Sequence, residues 1–178
     1  MNRTFQWDEM VEIIIPLLGP PSLLARSDAP VSSIFFVGPQ EEKKILAVER
    51  ALDMEFPASY KEFLKRLGAG GSGEYLISGI KGDDPLRHQA GLIYHDTMEG
   101  KQEHGLPDGL IVISRDNCWE FVLCLDCRQI PEGTEPPVVF FDVFYSDISP
   151  YSPDFFRFFH DFFTDYILPE AERYSDGL

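Results

Sequence analysis

The stretch KRLGAGGSGEYLIS, residues 65 to 78, sets Gly68, Gly70 and Gly73 at the GxGxxG spacing that cradles a dinucleotide pyrophosphate in other proteins. That motif requires a strand before it and a helix after it, because the helix N-terminus supplies the N–H groups and dipole that hold phosphate. Here the order is reversed. Upstream, Tyr60, Phe63, Leu64 and Leu67 fall at i, i+3, i+4 and i+7, which predicts a helix starting near Pro57, with Ser59 to Glu62 in the capping-box pattern. Downstream, EYLISGI reads as a strand. Gly68 is therefore expected to stop the helix in a left-handed conformation, and the other glycines to give the backbone a tight path into a sheet. A nucleotide site is not expected here.

Moving outward, Trp7, Met10, Val11, Ile14 and Leu18 predict an amphipathic helix over about 6–18, bent or ended by Pro16. Residues 19–33 are a loop by composition, and Ile34 to Val37 a short strand. Gly38-Pro39 is expected to open a second helix with the stripe Ile45, Val48 and Leu52. Residues 81–109 are polar, with a short helix near 96–104. Then LIVIS (110–114), EFVLCLD (120–126) and PVVFFDVF (137–144) follow as strands joined by turn-like segments. Connections this short make an antiparallel meander. Ser152-Pro153-Asp154 reads as the N-cap, N1 and N2 of a Phe-rich last helix ended by Pro169. One domain over 1–170 with a polar tail at 171–178 is the expected organisation.

The chain of 178 residues carries 30 acidic and 15 basic side chains, a net charge of −15. Residues 121–178 hold 11 acidic against 3 basic, so over half of that charge sits in the last third. Direct contact with nucleic acid or an anionic membrane is disfavoured, since both need Lys and Arg against phosphate. A basic protein would be steered onto such a surface, although acidity also merely keeps proteins dispersed. There is no apolar run of spanning length, and Asp8, Glu9 and Glu12 interrupt the N-terminal segment where a signal peptide would be apolar, so a soluble, non-secreted, cytoplasmic protein is expected.

Cys118, Cys124 and Cys127 suit a reducing compartment, and the CxxC of Cys124 to Cys127 lies across a strand and its turn, not at a helix start that would activate a thiolate. Ordinary buried cysteines are expected. His88, His95 and His104 with Asp96, Glu99 and Glu103 form a loop-rich group that could hold a cation or an acid/base pair, but no HExxH or other spaced ligand motif is present. His160 on the last helix reads as a surface or core histidine. No nucleophile-elbow, P-loop or kinase signature occurs. No cofactor and no enzymatic activity are expected.

Taken together, GPQEEKKILAVERAL, FPASYKEFLKRLGAGG, EHGLPDGLIVISRD, EFVLCLDC, PPVVFFD and DFFRFFHDFF, in that order over about residues 34–163, resemble the SUKH superfamily, which includes fungal cell-wall-synthesis regulators and many bacterial immunity proteins. Phe56-Pro57 stands where Leu-Pro is commoner, and 19–33 looks like an insertion. The resemblance implies an α+β fold, a mainly antiparallel sheet packed against helices. It also implies a non-enzymatic immunity protein that binds a cognate toxin, with a basic nuclease as the expected partner, or alternatively a regulatory or scaffolding module. The acidic composition fits the first, since an acidic inhibitor can occupy a phosphate-binding surface. Exposed loop carboxylates are the expected contacts: Asp83, Asp84, Glu99, Glu103, Asp142 and Asp147.

Overall fold

The computed structural model describes residues 3–18, 34–128, 130 and 133–170, with side chains from Trp7 onward. The expected insertion at 19–33 and the tail at 171–178 lie outside the described residues. The architecture is α+β, with antiparallel strands packed against helices. The elements are α1 (Arg3–Ile14), β1 (Phe35–Phe36), α2 (Glu42–Leu52), α3 (Ala58–Arg66), β2 (Gly70–Ser72), β3 (Tyr75–Ile77), α4 (Ile93–Glu103), β4 (Leu110–Arg115), β5 (Val122–Asp126), β6 (Val138–Asp142), β7 (Asp147–Ser152) and α5 (Phe155–Phe162).

The glycine stretch behaves as its context requires. α3 ends at Arg66, Leu67 and Gly68 both donate their N–H to Phe63 O, and Gly68 takes φ +79°. Gly70 and Gly71 then form β2 against Phe35 and Phe36. A Cβ on Gly70 would collide with Phe35 O, and one on Gly71 with Tyr75 O, so these glycines permit close strand approach. The capping box does not form: Pro57 is the N-cap, and Ser59 donates its N–H and hydroxyl to Glu135 across the fold.

β1, β2 and β3 make one antiparallel sheet, and β4, β5, β6 and β7 a second in sequence order. Ser78 N–H donates to Ile113 O at 2.8 Å and Ser114 Oγ to Leu76 O at 2.7 Å, so β3 runs antiparallel beside β4 and stitches the sheets together. Strand alternation sorts the side chains onto two faces. Ile111, Ile113, Leu123, Leu125 and Val138 join the main core with α1, α2, α3 and α5. Leu110, Val112, Val122, Cys124, Val139 and Phe141 point the other way, onto Leu106 and Trp119.

The main core is largely aromatic. Phe63 lies 5.3–5.4 Å from Phe155 and Phe159, and Trp7 packs on Phe159 at 5.2 Å and on Phe156 at 5.1 Å. Each such pair contributes about 0.5–1.5 kcal/mol beyond the area it buries. Asp154, not Ser152, caps α5, accepting the Arg157 N–H at 2.8 Å, because Ser152 is taken into β7. Past α5 the chain widens into a π-helical stretch, Phe163–Ile167, and stays helical through Pro169 to Glu170, so Pro169 does not end the helix. α2 starts at Glu42, leaving Pro39 outside it, and α4 starts at Ile93, three residues before its expected start.

Candidate functional site

The His/Asp/Glu group of residues 88–104 is partly assembled. His95, Asp96 and Glu99 bring ligand atoms within 4.8 Å of one another, and His88 packs on His95 at 5.8 Å. His104 turns instead to Trp119, stacked at 4.1 Å. The carboxylates already have a cation. Arg115, at the end of β4, donates Nε to Asp96 at 3.0 Å and Nη2 to Glu99 at 3.1 Å, and its guanidinium lies 4.7 Å over Trp119. Asp96 also accepts the Ser78 hydroxyl at 2.6 Å and the Gly91 N–H. Burial raises the Asp96 carboxyl above the ordinary range, against the opposing pull of Ser78 and Arg115. A metal ion here would have to displace Arg115 from both carboxylates, so the arrangement is better suited to tying α4, β4 and the 79–92 loop together.

The CxxC cysteines are chemically quiet, whereas Cys118 is exposed and not buried as expected. Cys124 is buried on β5 with its thiol pushed well up by burial, and burial pushes Cys127 up to about 12. His160 is half exposed on α5, 3.0 Å from Asp161.

A different region stands out once the strands are placed. β4 runs outward, β5 returns and β6 runs outward again, so the turns 116–121 and 143–146 lie at the same end of the sheet. Because β3 is antiparallel to β4, the β2–β3 turn at Gly73-Glu74 reaches that end too. These three tips and the adjoining π-helical turn carry Glu74, Asp116, Glu120, Asp142, Asp147 and Asp165. Their sole Lys or Arg is Arg115, whose side chain is 8% exposed and held by Asp96 and Glu99. That end is thus strongly negative, without an accessible cation on these segments.

The tips are held in shape. Asp116 Oδ1 accepts the N–H groups of Glu120 and Phe121, and Asp142 Oδ1 those of Phe144 and Tyr145. Val143 and Ile148 anchor the second tip on the core below. Above it, Phe144 and Tyr145 are 74% and 83% exposed. Two large aromatics on a rigid turn gain nothing for folding and resemble the anchors of protein interfaces.

The six expected contact carboxylates separate in space. Asp142 and Asp147 pair in register at the β6–β7 tip. Glu99 is half-buried against Arg115 and His95. Asp83 and Asp84 sit on the 79–92 loop, the first 3.9 Å from Lys44 and the second accepting the Leu86 N–H. Glu103 is exposed on the last turn of α4. Sequence reasoning passed over Glu74, Asp116, Phe144 and Tyr145. The signal available for them was the meander itself, which places alternate turns at one end.

The family model SUKH_5, described as SMI1-KNR4 cell-wall, matches residues 26–164. The match spans the stretch from Ile34 to Phe163 that carries the sequence resemblance and reaches back into the 19–33 segment.

Proposed function

The chain belongs to the SUKH_5, or SMI1-KNR4, family, and from that premise we propose that it is a non-enzymatic immunity protein that binds and neutralises a cognate toxin, a basic nuclease, in the cytoplasm. The observation that carries this reading is the end of the sheet where three hairpin tips gather carboxylates around exposed aromatics while Arg115, the sole Lys or Arg on these described segments, is paired from within. A nuclease must hold phosphate with cationic groups, and a negative, rigid surface with aromatic anchors can cover such a site and exclude nucleic acid. Long-range attraction also speeds the encounter, which matters for an inhibitor that must act before damage is done. Among the described residues no helix is long and apolar enough to cross a membrane.

Co-expression with basic nuclease toxins encoded in the same genome tests the reading. Protection against one of them, with a complex whose affinity falls as salt rises, is the expected result; no protection and no complex with any of them would remove it. The family description, SMI1-KNR4 cell-wall, favours a second reading, a regulatory module that recognises several cellular proteins. Affinity purification separates the two: one stoichiometric basic partner for the first, several unrelated partners for the second.

A further inference from the structure

We propose that the cleft between the β2–β3 tip, Phe121 and the π-helical turn after α5 is a subsite that receives an arginine side chain from the protein partner. The proposal rests on the reading of this end of the sheet as the interface, and it specifies what enters it. The cleft has a volume of about 230 Å³ and is walled by Tyr75, Phe121, Phe162 and Tyr166, with Glu74 and Asp116 among its polar lining. Small-molecule sites usually occupy about 300–1,000 Å³, so this space suits one long side chain rather than a metabolite.

The walls are arranged for a flat cation. Tyr166 lies 5.3 Å from Tyr75 and 5.4 Å from Phe162, so three rings cluster on one side. Tyr166 belongs to the π-helical stretch, where the extra residue per turn shifts side chains out of the α-helical register, a distortion common at functional sites. It remains 41% exposed, as Phe121 remains 38% exposed. Glu74 is exposed, and Asp116 leaves Oδ2 uncommitted to the turn that its Oδ1 organises. Aromatic faces beside carboxylates match a guanidinium better than an ammonium, because the planar group stacks on a ring while donating in its own plane. Arg115 also borders the cleft, but Asp96 and Glu99 balance its charge from behind, so it does not repel an entering cation as a free guanidinium would.

The probe is the peptide acetyl-Gly-Arg-Gly-amide, titrated into the whole protein and followed by NMR, beside its lysine and citrulline counterparts. The expected result is saturable shifts confined to Tyr75, Phe121, Tyr166 and the 114–116 backbone, weaker for lysine and absent for the uncharged citrulline. Glu74→Gln and Tyr166→Leu each lower the affinity about threefold to fivefold, the size of a cation–π or exposed charge contribution. Both positions are exposed, and an unchanged thermal midpoint in each variant shows that the fold is kept. Glu55→Gln, an exposed carboxylate outside the cleft, leaves peptide binding unchanged. No saturable shift, shifts mapping elsewhere, or equal binding of citrulline overturns the subsite. The peptide result is independent of any toxin: binding without protection removes the immunity reading alone, and protection undiminished by Tyr166→Leu removes the subsite alone.

Discussion

Asp96 and Asp147 are the same residue type on the same fold, and their surroundings give them opposite tasks. Asp96 is fully buried on α4 and is held by Ser78, Gly91 and Arg115. Asp147 is exposed at the start of an edge strand, opposite a second aspartate, Asp142. The first knot pairs its carboxylates with a buried guanidinium and joins elements far apart in sequence. The tips leave their charge facing solvent, where it costs little stability and can attract a partner. A protein of net charge −15 thus uses a few carboxylates as mortar and displays others.

The largest expected effect comes from breaking the knot. Asp96→Ala leaves the Arg115 guanidinium buried with Glu99 as its remaining carboxylate, and such loss of one partner costs about 3–5 kcal/mol. Urea unfolding measures this; a loss below about 1 kcal/mol would mean that the knot is not structural. The contrast sharpens at the other region. Phe144→Ser with Tyr145→Ser is expected to change stability by no more than about 0.5 kcal/mol, while weakening the proposed toxin complex, with these rings as its anchors, by about 2 kcal/mol or more. Calorimetry of unfolding and of binding on the same sample reads both.

pH separates the regions further. Because burial raises the Asp96 carboxyl, the folded state holds that proton more tightly than the unfolded chain does. Its contribution is fully present below the unfolded carboxylate pKa and is lost as pH rises through the raised folded value. The stability of wild type relative to Asp96→Asn should therefore fall over that interval, and a flat difference between them would contradict the assignment. Asp126 has the opposite sign: hydrogen bonds from Arg128 lower it, so its contribution is present above the ordinary carboxylate pKa and fades in acid. The smallest effect is kinetic. Glu120→Gln with Asp147→Asn should slow association with the proposed toxin about twofold to threefold at low salt and leave it unchanged at high salt, where exposed charges are screened. Stopped-flow mixing across ionic strength checks this.

Much of the fold can be read along the chain because its signals are local. The stripe Tyr60, Phe63, Leu64, Leu67 followed by Gly68 specifies a helix and its stop, and the β-branched runs of β4, β5 and β6 specify a meander. β7 is missed because Asp147, Ser149 and Pro150 have neither apolar alternation nor strand propensity. It exists because β6 supplies a partner in register. Its position at the sheet edge tolerates Pro150. The cap of α5 is misplaced by two residues for the same reason, since Ser152 belongs to that strand. In the candidate site, the excess of acid is visible from composition, and the chemistry of the tips from turn residues such as Asp116 and Asp142. Which acids are neutralised is not, because Asp96 and Arg115 are 19 residues apart.

The sequence by itself therefore determined the helices, the meander, the role of the glycine stretch and the sign of the surface charge, all of which follow from periodicity, turn chemistry and composition. Tertiary structure alone decided where that charge acts. Stitching β3 to β4 brings three turns to one end, and packing α4 against β4 hands Arg115, the sole Lys or Arg on those described segments, to Asp96 and Glu99. The physical reason is that neutralisation and burial depend on neighbours in space, and strand order, not residue type, chooses those neighbours.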